Sequence, residues 1–306
     1  MTEAVTKNKL VFGGFVITFI GAIFFSTKAI IVKLAFAHTH ADAVTVLALR
    51  MLFSLPFYIA IGLFASNKRS NVYFTKRQWL YIILLGLTGY YISSLCDFIG
   101  LQYISAGLER LILFIYPTLA VILNAWVFRQ RVNKYQKWAM VLTYLGIGIA
   151  FWGEMKIDSS NPNFYLGSFF CFLCALTFAV YLAGSGKMIA ETGATKFTSY
   201  AMIAACGGIF AHYFVTGHTI HHMDANLLGY GFALAILATV IPSFLMSNGI
   251  KKIGSSNVAI ISSIGPVSTI LQAHFILGEK TFPAQIIGTI LVIAGVVMTG
   301  WKSREI

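Results

Sequence analysis

Charge is what this sequence has least of. Asp, Glu, Lys and Arg make up 10% of its residues, whereas 58% are hydrophobic. A water-soluble domain carries about 25% charged residues, so a single soluble core is excluded at a length of 306 residues. Cysteine is scarce as well. The four present (Cys96, Cys171, Cys174, Cys206) all fall inside apolar runs, which excludes a disulfide framework and indicates no redox compartment. Cys171 and Cys174 form a CxxC, but at helical i,i+3 spacing in an apolar run they read as small packing residues. A cleavable leader is not expected either: the first apolar run is too long, lacks a small-residue cleavage site and carries Lys28.

What is present is a series of apolar runs, at about 11–34, 43–65, 79–99, 105–128, 136–153, 165–185, 198–217, 227–248, 257–277 and 284–301. Each is near the roughly 20 residues that cross a bilayer. In lipid, only helices or closed barrels satisfy the backbone. The expectation is an all-α polytopic membrane protein with ten transmembrane helices and almost no extramembrane domain.

The net charge of +12 invites a nucleic-acid partner, but its placement argues for topology instead. Lys7 and Lys9 precede the first run, and Lys68, Arg69, Lys76 and Arg77 lie between the second and third. Arg129, Arg131, Lys134 and Lys137 separate the fourth and fifth. Lys187 and Lys196 follow the sixth, Lys251 and Lys252 the eighth, and Lys302 and Arg304 close the chain. Only Lys156 and Lys280 fall in the alternate loops. This positive-inside bias predicts a cytoplasmic membrane location with both termini cytoplasmic. It needs no nucleic acid.

The last third of the chain replays an earlier stretch. GLQYISAGLERLILFIYP (Gly100 to Pro117) aligns without a gap on GIKKIGSSNVAIISSIGP (Gly249 to Pro266) at an offset of 149, and the register holds to Trp152 and Trp301. The first spans correspond loosely through Gly14/Gly167, Ala22/Ala175 and Phe25/Phe178. Two repeats follow, residues 1–153 and 164–306. With five spans each, the second must enter from the opposite face, so the repeats are inverted, with a site expected between them. Pro117 and Pro266 hold equivalent places within the fourth and ninth runs. A mid-helix proline deletes a backbone hydrogen bond, read either as a simple kink or as a hinge for alternating access.

Ionisable groups inside spans are functional candidates. There are five: Lys28, Arg50, Asp97, Glu109 and Arg110. At about 1.5 Å per residue, Lys28 and Arg50 lie on the order of 10 Å below the outer helix ends, and the others about 4–8 Å down. One reading is a structural network in which Arg50 pairs with Asp97 or Glu109. The other reserves Lys28 for substrate recognition or gating, because three cations face two carboxylates. Replacing Lys28 with Ala is then expected to abolish transport and leave insertion intact. Tyr90, Tyr91 and Tyr116 could line the same cavity or simply pack. Ser262, Ser263 and Gln272 are the second half's polar groups, and Trp79 and Trp301 are interfacial-belt candidates.

His218, His221 and His222 form an HxxHH, the spacing of one iron-binding box in membrane desaturases. Such an enzyme needs several boxes on one cytosolic face, and this loop lies outside by the charge rule, so no metal, cofactor or catalytic residue is assigned.

GAIFFSTKAIIVKLAF, RMLFSLPFY and the paired YISAGLERLILFIYPTLAVILNAWVF and GSSNVAIISSIGPVSTILQAHFILGEK resemble the EamA family of the drug/metabolite transporter superfamily. The resemblance covers essentially the whole chain. It implies ten helices in two inverted five-helix repeats, a central cavity, alternating access, and export of amino acids or other small metabolites. The family often ends the fourth and ninth spans with an acid–base pair. Glu279–Lys280 fits, while the first repeat has Gln130–Arg131. The expected function is secondary transport of a small carboxylate-bearing solute by a monomer or homodimer in the lipid bilayer. The competing class is a receptor or scaffold without transport, which the lack of extramembrane domains disfavours.

Overall fold

The computed structural model describes residues 2–67, 73–127, 134–157, 161–218, 224–262 and 264–301. Lys68, Arg69, Arg129, Gln130, Arg131, His221, His222, Ser263, Lys302 and Arg304 lie outside the described residues. Every regular element among those described is helical. In order they are α1 (Thr2–Thr39), α2 (Ala43–Ser66), α3 (Lys76–Gly86), α4 (Ser93–Tyr103), α5 (Ala106–Leu113), α6 (Tyr116–Val127), α7 (Lys134–Ile157), α8 (Phe164–Thr192), α9 (Ala194–Val215), α10 (Ala225–Ala235), α11 (Ile241–Ser262), α12 (Ile264–Gln272) and α13 (Pro283–Trp301). Three π-helical stretches, Leu87–Ile92, Ile236–Val240 and Ala273–Leu277, continue α3, α10 and α12.

Among the described residues, six helical spans are long and apolar enough to cross a membrane: Phe12–Thr39, Ala43–Ser66, Lys76–Tyr103, Phe164–Gly186, Ala194–Val215 and Ala225–Ile253. Val141–Gly153, Ile264–Leu277 and Pro283–Gly295 are shorter apolar helices. The apolar run 105–128 is broken in two. Polar residues start several of these helices by satisfying orphan amides. Asp42 accepts from Thr45 N (2.9 Å) ahead of α2, Thr75 and Gln78 form a capping box ahead of α3, and Ser105 accepts from Leu108 N (3.1 Å) ahead of α5.

Pro117 is placed differently from the sequence expectation and is not mid-helix. α5 stops at Leu113, Phe114 and Ile115 form a turn, and Pro117 falls in the first turn of α6. There a missing N–H costs nothing, because no intrahelical partner existed. Pro266 lies on α12, three residues past Ser263, which is outside the described residues. α11 is not one straight rod, because Gly249 abuts Val258, nine residues on and about 13 Å away along an ideal helix. The chain therefore doubles back between them.

Close contacts at small residues fix how the helices pair. α2 and α9 run antiparallel, with Gly62 at Ser199 and Met51 at Cys206. α7 and α13 also run antiparallel, with Gly146 on Gly288 and Gly153 on Ala284. α4 packs on α8 through Gly100 and Gly167, and α11 packs on α1 through Gly249 and Thr18. α5 meets α12 where Gly107 touches Ile270 and Gly265 touches Arg110.

Contacts among the helix ends sort onto two ends of the bundle. At one end Asp42 meets His218 (3.3 Å), Asn161 donates to Tyr103 O (2.7 Å), and the Glu279 carboxylate accepts from Ala106 N (3.1 Å). At the other end Gln78 donates to Glu191 (3.0 Å), Ser66 meets Tyr200 (3.0 Å), and Gly13 lies near Lys252. Trp79 belongs to this second end, edge-on to Phe74 and Tyr200.

Candidate functional site

All five intramembrane charges converge on the bundle interior, and each is at most 7% exposed. Lys28 stands on α1 one helical turn and a half beyond Ala22, both facing a cavity of about 90 Å³. Arg50 reaches the cavity from α2, Asp97 from α4 and Arg110 from α5. Glu109, the residue before Arg110, is offset by about 100° on the helix and sits behind Asp97 rather than on the cavity wall.

The ion pairs differ from the expected Arg50–carboxylate network. Lys28 Nζ lies 2.6 Å from Asp97 Oδ2 and 3.9 Å from Glu109 Oε1. A charge-assisted contact of that length, away from water, is strong. Lys28 is therefore the compensated cation, and the arginines are the ones left over. Arg50 donates from Nη2 to Ser94 Oγ (2.9 Å) and lies over the Phe98 ring at 5.1 Å. Arg110 donates from Nη2 to Ser26 Oγ (3.1 Å), and the Ser26 hydroxyl donates onward to Ala22 O (2.8 Å) and Gly265 O (3.2 Å). Among the described residues no carboxylate oxygen comes within 4.0 Å of either guanidinium. The buried Nε atoms of both have no hydrogen-bond partner.

Two of the three π-helical stretches, Leu87–Ile92 and Ile236–Val240, flank this cavity. Gly89 and Tyr90 line it from the first, and Ala238 and Thr239 from the second. These pairs are equivalent at the offset of 149. π turns often mark functional sites in helical proteins. In the second stretch the wider turn is stabilised by Thr239 Oγ1 donating to Leu234 O (2.8 Å). The helix break before Pro117 contributes Phe114 and Tyr116 to the wall. Ser262, at the end of α11, lines it too, with an unpartnered buried hydroxyl.

A second cavity of about 60 Å³ lies behind an aromatic wall. Phe25, Tyr90, Tyr116, Phe178 and Met246 border both spaces. The wall holds together by ring contacts: Tyr116 stands edge-on to Phe178 (5.1 Å), and Tyr90 edge-on to Tyr181 (4.9 Å), whose hydroxyl donates to Tyr90 Oη (3.2 Å). Ser243 and Ser247 line the far side, where Ser243 also bonds Tyr58 (2.9 Å).

Of the tyrosines expected at the site, Tyr90 and Tyr116 are at the cavity and Tyr91 is not. Successive helical residues point about 100° apart, and Tyr91 turns to α9, where its hydroxyl meets His212 Nδ1 (2.9 Å). Gln272 bonds Ser268 one turn back on its own helix (2.9 Å) rather than the cavity. His218 is engaged with Asp42 and Thr216. Sequence reasoning missed Ser26, Ser94, Gly89 and Thr239. The last two could have been found by asking which residues fall opposite one another at the repeat offset.

Comparison with known proteins bears on what this site belongs to. The model of the EamA-like transporter family matches residues 12–152 and 165–301. An uncharacterised transporter of Bacillus subtilis, YcbK, is 28% identical over 99% of this chain and 97% of its own length. An uncharacterised transporter of Archaeoglobus fulgidus is 25% identical over 74% of this chain and 78% of its own. A solved crystal structure shares the fold at a TM-score of 0.69 and 16% identity, covering 95% of this chain and 97% of that one. With the apolar helices and the buried charged cavity, these matches make the chain a multi-pass membrane protein with a transport role, and it belongs to the EamA-like transporter family.

Proposed function

We propose that this protein is a secondary transporter that carries a small organic metabolite, an amino acid or another carboxylate-bearing solute, out of the cell by alternating access. The observation that carries the reading is the charged cavity between two π-helical turns that recur at the offset of 149. An arrangement of ten helices as two inverted five-helix repeats accounts for this. It would exchange the α4–α8 contact of Gly100 with Cys171 for the α11–α1 contact of Gly249 with Thr18, and both contacts are present. It also requires α2 with α9, and α7 with α13, to be antiparallel partners, as they are. A site between inverted repeats near mid-membrane is how such carriers expose one solute alternately to two faces.

Movement then needs joints. The break before Pro117 separates α5, which ends at Leu113, from α6, and we assign the hinge role to it and to Pro266, its equivalent at the offset of 149. Residues at element ends absorb large backbone changes without disturbing packed helices. The family resemblance supplies the outward direction and the cytoplasmic membrane.

Purified protein in liposomes, assayed for counterflow of labelled amino acids, organic acids and sugar phosphates, tests the reading. Saturable exchange of at least one carboxylate-bearing solute is expected. Absence of solute-dependent exchange or thermal stabilisation across the whole panel would leave the receptor or scaffold class as the better account.

A further inference from the structure

We propose that the solute is an organic anion without a compensating ammonium, its acidic group held by Arg50 and Arg110 and its apolar body lying across the aromatic wall. This rests on the carrier reading and narrows it. The argument starts from charge. Lys28, Arg50 and Arg110 face Asp97 and Glu109, so positive charge is in excess whether the carboxyl groups hold one proton or none. Both carboxyls flank Lys28 (2.6 and 3.9 Å), which leaves the excess on the guanidiniums. Arg50 is 3% and Arg110 6% exposed, both line one cavity, and each has a buried Nε without a partner. A buried charge without a counter-ion is costly, and a guanidinium with free N–H groups matches the oxygens of a carboxylate. A bound anion would satisfy both.

The same geometry disfavours a zwitterion. The ammonium of an amino acid needs an acceptor of negative charge, and the acid on the cavity wall, Asp97, is taken by Lys28. An incoming ammonium would meet Lys28 itself. Away from the arginines the space is bounded by Phe25, Tyr90, Tyr116, Phe178 and Met246, surfaces suited to an apolar or aromatic body. The two cavities, about 90 and 60 Å³, are smaller than a typical ligand pocket of about 300 Å³ or more. The head-group site is thus preformed here, and the aromatic wall must part to admit the rest.

The test uses four probes of one shape on the purified full-length protein: 3-phenylpropionate (anion), phenylalanine (zwitterion), 2-phenylethylamine (cation) and 3-phenylpropanamide (neutral). Thermal stabilisation in detergent and uptake into liposomes are measured for each. We expect 3-phenylpropionate to bind and be taken up, with phenylalanine and the amine at least tenfold weaker. R50Q and R110Q should each weaken 3-phenylpropionate at least tenfold, while R50K and R110K lose less. Should the glutamine variants fail to fold, the probe series on the unmodified protein decides alone. Preference for phenylalanine, the amine or the amide, or undiminished binding of the acid by a folded R50Q/R110Q protein, overturns the inference and leaves the carrier reading standing. No uptake of these probes or of any solute in the wider panel sinks both.

Discussion

Lys28 is the deepest basic residue on α1, and its ammonium is enclosed by two carboxyl groups. Removing one partner of a buried ion pair strands the other, which costs about 3–5 kcal/mol, whereas replacing both by apolar groups of similar volume is often neutral. K28M and D97N should therefore each lower the unfolding temperature sharply in detergent, and the K28M/D97N double variant should recover at least half of the loss. A double variant as unstable as the sum of the singles would mean that the pair is not coupled. The sequence expectation that Lys28 could be removed without structural cost changes accordingly. Depth follows from the fixed rise per residue only once the helix end is known, and α1 runs on to Thr39, past the apolar run that ends at about 34. Which neighbour each charge faces was not readable, because a helix that is apolar nearly all round gives no azimuth.

Helix pairing depends on positions where a single methyl group has no room. At Gly86, on α3, an added Cβ would stand 2.2 Å from Ala201 O and 2.9 Å from Ala201 C on α9, with backbone atoms that cannot rotate aside. Gly148, on α7, has nothing within 4 Å of that point. G86A should thus part α3 from α9 and lower the unfolding temperature and the yield of folded protein. G148A should be neutral or slightly stabilising, since Ala favours a helix over Gly by about 1 kcal/mol. Equal behaviour of the two variants in a thermal scan would contradict the close approach. At this scale the apolar runs announced most helices, and Pro117 marked the place where one span breaks. The π stretches were illegible. LTGYYI and ILATV contain no proline, and a π turn is one extra residue absorbed into a helix, which apolar periodicity does not register. The offset is in the sequence, but that both stretches are π-helical becomes visible only with coordinates.

The whole molecule can be divided into two faces by evidence of two independent kinds. On the positive-inside expectation Lys7, Lys76, Lys252 and Lys302 are cytoplasmic, and Lys156 and Lys280 lie on the opposite side. The contacts between helix ends make the same division without reference to charge. Asp42 with His218, Tyr103 with Asn161, and Ala106 with Glu279 gather the loops that carry few Lys or Arg. Gln78 with Glu191, and Gly13 with Lys252, gather the basic ones. An odd number of crossings per repeat and two cytoplasmic termini follow only if both kinds of evidence describe one membrane orientation. Single cysteines in a background lacking the four native ones give the measurement. K156C and K280C should react with a membrane-impermeant maleimide on intact cells. K7C and K302C should react only after permeabilisation. Labelling of both K7C and K302C from outside would reverse the orientation. Labelling of K7C and K302C from opposite sides would make the number of crossings odd, and the inverted five-helix arrangement would fall with it.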